Sequence, residues 1–272
     1  MQAREIICEQ GSPEWHQARA GAITASMTHE IVKRVGGLTD QQTQYVEAIR
    51  AGKSKDEAKV IAGYKTAPKW TDKHQAVLDG ESIGDYTEAA KDYAFRLAVE
   101  RISGLSLDEG IETYAMRRGH ELEPAARAAH AMEIGRVVRQ VGFVVSDCGR
   151  FGASADGAID DDGGAEYKCF MDPCKLRGII MSRDISDHLW QCQHGMWITG
   201  RQWWDFCLYC PALESAGRDL ERFRIERGEE TIKRIEAECL AFDGLVEEYR
   251  QALIQSPKKQ PATRASSRAS DK

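Results

Sequence analysis

The strongest constraint on the fold is a change of hydrophobic period near residue 135. Upstream, apolar residues recur at helical spacing over about 86–103 and again from Gly119 to about residue 131. Downstream, strand-like alternation takes over in 137–145, 151–153 and 158–160. Asp161-Asp162-Gly163-Gly164 reads as a turn, and 165–170 as the strand returning from it. Helical spacing resumes over 186–199, followed by an aromatic-rich strand at 203–210 and an edge strand at 220–226. A last helix over 229–254 carries Ile232, Ile235, Cys239, Phe242, Val246, Tyr249 and Leu253 on one apolar face. Strands bracketed by helices predict an α/β (α+β) fold, a central sheet flanked by helices.

The N-terminal third adds helices with distinct start signals. Ser12-Pro13-Glu14 opens one that runs to about Arg19. Ser26 is placed to cap a second, through Val35, closed by Gly36-Gly37. Thr39-x-x-Gln42 and Ser54-x-x-Glu57 are capping boxes opening two short amphipathic helices, and a third fits 73–78. Residues 38–80 therefore read as an inserted helix-turn-helix-like module, which also resembles the DNA-binding segment of phage terminase small subunits. A helical insertion that only packs on its host is the alternative. The main domain comprises 1–37 and 81–255, and 256–272 reads as a disordered basic tail.

Composition narrows the classes. No apolar run approaches the roughly 20 residues of a membrane helix, and residues 1–10 carry no secretory pattern, so a cytoplasmic protein without membrane contact is expected. The net charge of −6 neither indicates nor excludes nucleic acid, since DNA contacts need only a local basic surface. Eight cysteines in such a chain read as buried, unligated thiols. Cys207-x-x-Cys210 has knuckle spacing but lies on a strand, where residues three apart face opposite ways. An iron–sulfur or zinc site is the alternative.

One grouping carries chemistry. Glu166 and Lys168, at i and i+2 on a strand, share a face, and the hairpin brings Asp156 alongside them. Two carboxylates, with the Tyr167 carbonyl as a third oxygen, suit Mg²⁺ and phosphodiester hydrolysis. Lys168 would orient or deprotonate the attacking water, or stabilise the transition state. Glu123 reads as lying in a helix's first turn, where the dipole would hold it ionised. Gln191 offers a neutral amide. The Asp-x9-Glu-x-Lys spacing by itself arises readily by chance among 43 acidic residues, so a solvent-facing hairpin remains open at this level.

Four stretches together are more specific: WHQARAGAITAS (15–26), RRGHELEPAAR (117–127), SADGAIDDDGGAEYKC (154–169) and QCQHGMWITGRQWWDF (191–206). In these the chain resembles the lambda-type (YqaJ-like) phage exonucleases of the PD-(D/E)XK superfamily. Ala155 stands where many members have proline. The resemblance implies a restriction-endonuclease-like core with a mixed sheet. It also implies metal ligation by Asp156, Glu166 and Glu123, Lys168 as catalytic lysine, and Gln191 in support. A 5′-phosphate pocket of Arg19, Ser26 and Ser154 follows, with Mg²⁺ as cofactor and Mn²⁺ as substitute. So does 5′→3′ digestion of double-stranded DNA by a trimeric ring working with a single-strand annealing protein. An endonuclease or iron–sulfur nuclease, and a non-catalytic DNA-binding adaptor using 38–80, are the competing readings.

Overall fold

The computed structural model describes residues 2–107, 113–169 and 173–255. The chain opens with β1 (Ala3–Ile6) and α1 (Pro13–Arg19), the latter capped by the Ser12 side chain, which accepts from the Trp15 N–H. Next come β2 (Ile23–Thr24), a 3-10 turn (Ala25–Met27), α2 (Thr28–Ile31) and β3 (Arg34–Val35). α3 (Asp40–Arg50), α4 (Lys55–Ile61) and α5 (Asp72–Leu78) follow, and both expected capping boxes close. β4 (Asp85–Tyr86) leads into α6 (Glu88–Ser103) and α7 (Tyr114–Ile134). The strand block comprises β5 (Val138–Arg139), β6 (Phe143–Ser146), β7 (Phe151–Ala153), β8 (Gly157–Ile159) and β9 (Gly163–Cys169). α8 (Pro173–Ser182), α9 (Ser186–Thr199), β10 (Trp203–Tyr209), β11 (Leu220–Glu226) and α10 (Glu229–Gln255) complete it.

The main sheet has the order β11-β10-β9-β8-β5 and is mixed: β9 and β10 run parallel and the other neighbours antiparallel. Its parallel register sets Phe206 beside Glu166 and Leu208 beside Lys168. On that face Trp204, Phe206 and Leu208 join the principal core with Cys192 and Met196 of α9 and Ile235 and Phe242 of α10. Each fully buried large side chain there is worth about 1.5–3 kcal/mol of transfer free energy. On the other face Ala165, Tyr167, Trp203 and Cys207 pack with Ala126 of α7. The sheet is thus a layer between α7 and the α9–α10 pair, the α/β arrangement expected. A second sheet, β1-β6-β7-β2, shares the principal core through Val144, Phe151 and Ala153. None of the described helices is long and apolar enough to cross a membrane.

Several expectations are corrected. Ser26 does not cap a helix reaching Val35. It lies inside the 3-10 turn with its hydroxyl 3.3 Å from Thr24 Oγ1, and the chain leaves α2 early because Arg34 and Val35 pair with Tyr86 and Asp85. α7 begins five residues before Gly119. Thr113 caps it by accepting from the Met116 N–H, and Gly119 and Pro124 lie within it. The single strand over 137–145 is two, because the chain crosses between the sheets there: β5 pairs with β8, whereas β6 pairs with β1 and β7. Gly163 and Gly164 belong to β9 rather than to the turn; the Trp203 and Trp204 indoles of β10 lie where their Cβ atoms would stand. The tail over 256–272 and Phe170 lie outside the described residues.

Candidate active site

Asp156 sits just before β8, and its N–H donates to the Ala165 carbonyl at 3.1 Å, the last rung of the β8–β9 ladder. One residue further on, β9 has lost its antiparallel neighbour, and the Tyr167 N–H instead donates to Asp156 Oδ2 at 2.7 Å. N–H and C=O of one strand residue point to the same edge, so the Tyr167 carbonyl is aimed past the end of β8, beside Asp156. Glu166 and Lys168 project from the α9 face as their i, i+2 spacing requires. Glu166 is buried, 4% exposed, and engaged through one of its oxygens. Its Oε1 accepts from Lys168 Nζ and from Gln191 Nε2 of α9, both at 2.6 Å. Glu123 reaches the same centre from α7 and is ion-paired to Arg127 one turn later, whose Nε also donates to the Asp156 carbonyl at 3.1 Å.

Burial and neighbouring charge act together on these groups. Burial, then the Glu166 and Glu123 carboxylates, push the Asp156 carboxyl well above its ordinary value, against the pull of Lys168 and the Tyr167 N–H. Glu123 is also raised, by burial first, with Arg127 and His120 opposing and Glu166 adding to it. Its position in mid-helix removes the expected stabilisation by the helix N-terminus. Burial works against the Lys168 ammonium, but Glu166 and Asp156 outweigh it and hold that group protonated above its ordinary value. The centre is therefore a crowded carboxylate cluster partly neutralised by one lysine and one arginine.

Hard oxygen donors held close together, with Asp156 and Glu123 raised first by burial and then by neighbouring carboxylates, fit a divalent cation, which would relieve that repulsion. No three His, Cys, Asp or Glu side chains among the described residues already stand together as a cage. Glu123 is turned to Arg127, and Glu166 to Lys168 and Gln191, so ligation would require these carboxylates to exchange partners. Cys207 faces the α7 side of β10 and Cys210 follows the strand's end, so the CxxC pair does not face a common point.

Of the three residues expected to hold a 5′-phosphate, Arg19 and Ser154 are linked through a fourth, Trp15. Arg19 stacks on the Trp15 ring at 3.8 Å, and Trp15 Nε1 donates to Ser154 Oγ at 2.8 Å. Ser26 and Ser154 follow the neighbouring parallel strands β2 and β7, and Ser154 lies two residues before Asp156. Trp15 and Arg127 were not singled out from the sequence, although each stands four residues from a residue that was, one helical turn away. His188 was also missed. One turn before Gln191, it stacks on Phe206 at 4.5 Å, and burial, followed by Lys168, pushes its imidazole down to about 4.

A mixed sheet layered between helices, with this carboxylate–lysine cluster at the end of its hairpin, is an α/β fold, and the proteins it matches place it among the nucleases. Residues 14–202 match the YqaJ-like viral recombinase domain, and the chain belongs to that family. Among solved structures it is similar to an alkaline exonuclease (LHK-Exo) from Laribacter hongkongensis. Identity is 27% and the TM-score 0.61, over 89% of this chain and 96% of that one. The complex of LHK-Exo with dAMP matches over the same extents, with 28% identity and a TM-score of 0.59. A phage related exonuclease from Haemophilus somnus 129PT, 16% identical, shares the fold with a TM-score of 0.53 over 85% of this chain and 96% of that one. No curated protein sequence matches the chain.

Proposed function

We propose that this protein is a divalent-metal-dependent exonuclease that degrades linear double-stranded DNA 5′→3′ from a 5′-phosphate, in phage-type recombination by strand annealing. The observation that carries the reading is the convergence of side chains at the end of β8: Asp156 accepts the Tyr167 N–H at 2.7 Å, Glu166 accepts from Lys168 and Gln191 at 2.6 Å, and Arg127 joins Glu123 to the Asp156 carbonyl. Asp156, Glu166, Glu123 and the Tyr167 carbonyl would hold Mg²⁺ or Mn²⁺. Such an ion supplies Lewis-acid polarisation of the phosphate and a lowered pKa for a bound water. Lys168, kept charged, donates to a phosphate oxygen as negative charge grows on it. Gln191 holds Glu166 in place through its amide. Arg19, set flat by Trp15, offers a two-pronged donor to a terminal phosphate, with Ser154 tied to the same indole and Ser26 nearby. A relative that binds the mononucleotide dAMP supports nucleotide-sized product.

A homo-oligomeric ring and a single-strand annealing partner complete the proposal. Exposed Leu105, Leu107, Tyr114 and Met116, at the end of α6 and start of α7, give apolar area to a subunit contact. The test is digestion of linear duplex with and without a 5′-phosphate, in Mg²⁺ and in EDTA, beside a closed circle. Loss of the phosphorylated linear substrate alone, in Mg²⁺ alone, is expected. Cutting of the circle would make the enzyme an endonuclease, and equal rates on both linear ends would remove the phosphate pocket.

A further inference from the structure

The helices α3, α4 and α5 form a unit with its own centre. Tyr45, Ala48, Ala58 and Ala62 are buried together, joined by Ile49, Tyr64 and Trp70, with the Tyr45 ring edge-on to Tyr64 at 6.0 Å and to Trp70 at 6.3 Å. This cluster is separate from those around the sheets. At the base of the unit the chain enters and leaves through the β3–β4 ribbon, in which Arg34 pairs with Tyr86 and Val35 with Asp85. The ribbon is fastened to α10. Glu238, 3% exposed, accepts from both Arg34 and Ser82, Arg34 lies over the Tyr86 ring at 4.0 Å, and Tyr86 packs on Phe242. Lys73 adds a bond to the Gly36 carbonyl at 2.8 Å. A unit clamped in this way is presented at a fixed place, and α2, just before the ribbon, rests on α9, the helix of Gln191.

The unit is weakly basic within an acidic chain: residues 40–78 hold seven Lys or Arg against five Asp or Glu, whereas the whole chain carries −6. Lys53 and Lys55 lie where α3 hands over to α4, and Lys65 and Lys69 lie in the loop from α4 to α5. All four are exposed, and none of their ammonium groups donates a hydrogen bond or forms an ion pair among the described residues. Flexible lysines spread over two loops suit a repeating polyanion, whose phosphates recur along any path, better than a partner that must be met in one geometry.

We propose that the α3–α5 unit is a second contact surface for duplex DNA, gripping the phosphate backbone away from the reaction centre through Lys53, Lys55, Lys65 and Lys69. The inference rests on the reading of DNA as substrate and deepens it by naming a subsite outside the catalytic cleft. Such a grip is indifferent to sequence and sensitive to salt, because each neutralised phosphate releases counterions.

The experiment is fluorescence anisotropy of the full chain with a 40-base-pair duplex in EDTA across a salt series. Wild type is compared with K53Q/K55Q/K65Q/K69Q and with the charge-preserving K53R/K55R/K65R/K69R. The Gln variant is expected to lose about 10²-fold in affinity near 0.1 M salt, and its log–log salt slope to fall by about 3 to 4. The Arg variant keeps both, which separates lost charge from lost folding. Wild-type affinity and slope in the Gln variant would overturn the proposal even if the enzyme degrades DNA. The same fall without any nuclease activity in wild type would leave the grip standing and overturn the enzymatic reading instead. A loss seen only in V60S/I61S, the exposed apolar pair on α4, would place the DNA contact on apolar surface and not on the lysines, and would also overturn it.

Discussion

Replacing Asp156 with Asn separates what the carboxylate cluster does for catalysis from what it costs the fold. The amide oxygen can still accept the Tyr167 N–H that Oδ2 accepts at 2.7 Å, so the change removes charge and little else. In the wild-type protein without metal, burial and the Glu166 and Glu123 carboxylates raise the Asp156 carboxyl well above its ordinary value. A carboxyl whose folded value exceeds its unfolded one holds its proton longer in the native state. Ionising it therefore takes stability away as pH rises from about 4 through the folded value. Relieving one unfavourable charge typically yields roughly 0.5–2 kcal/mol, so neutralisation should stabilise the fold by that order above the window. For a chain of this size that is a rise in Tm of roughly 1–8 °C.

Thermal unfolding in EDTA at pH 8 and at pH 4 measures the effect, beside cleavage of linear duplex in Mg²⁺. The Asp156→Asn variant should melt higher than wild type at pH 8, match it near pH 4, and show no cleavage. Mg²⁺ should raise the wild-type Tm by binding the native state alone, and should leave the variant nearly unmoved. A variant that melts lower than wild type in EDTA at pH 8, or a gap that does not open with pH, would refute the picture of a repulsive, metal-ready cluster.

Three further outcomes follow from the same geometry. Lys168→Met should cut the cleavage rate by about 10²–10³-fold, and Lys168→Arg should not restore it, because a planar fork cannot replace a point charge paired to Glu166 at 2.6 Å; initial rates on linear duplex decide this. Tyr167→Phe strips His130 Nδ1 of the hydroxyl 3.0 Å away in a fully buried network with Asp205, and should cost about 1–2 kcal/mol in urea unfolding; no change in midpoint would show that the bond carries nothing. Burial pushes the His194 imidazole down to about 3, so its contribution is intact above the unfolded value near 6.5 and is lost as pH falls from there towards 3. His194→Gln should flatten the acid branch of the stability profile by up to about 4 kcal/mol, and equal acid loss in both proteins would count against this assignment.

What could be read in the sequence was what short-range physics fixes. Ser12, Thr39 and Ser54 cap their helices because a side-chain oxygen two or three residues from a free N–H needs nothing from elsewhere in the chain. Glu166 and Lys168 share a face because a strand has a period of two. What could not be read depends on a distant partner. β1 is a strand because Ala3–Ile6 finds Phe143–Ser146, and Gly163 and Gly164 stay in the strand because two indoles some 40 residues on cover them. α8 was missed for a different reason: PCKLRGIIMS is a short apolar run, in which period cannot separate helix from strand.

Glu123 stands beside Asp156 and Glu166 as expected, but for a different cause. Gly119 and Pro124 look like a helix entrance, and an acid in a first turn would be ionised by the helix dipole. The helix in fact starts at Tyr114, the dipole is remote, and burial raises the carboxyl instead. The counter-charge comes from Arg127, four residues on, which pairs with Glu123 and also grips the Asp156 carbonyl. A dipole would have stabilised the carboxylate without occupying it, whereas an arginine occupies it. In the proposed metal site a cation would compete with Arg127 for Glu123, just as it would with Lys168 and Gln191 for Glu166, so Arg127 would set how readily Glu123 turns to the metal.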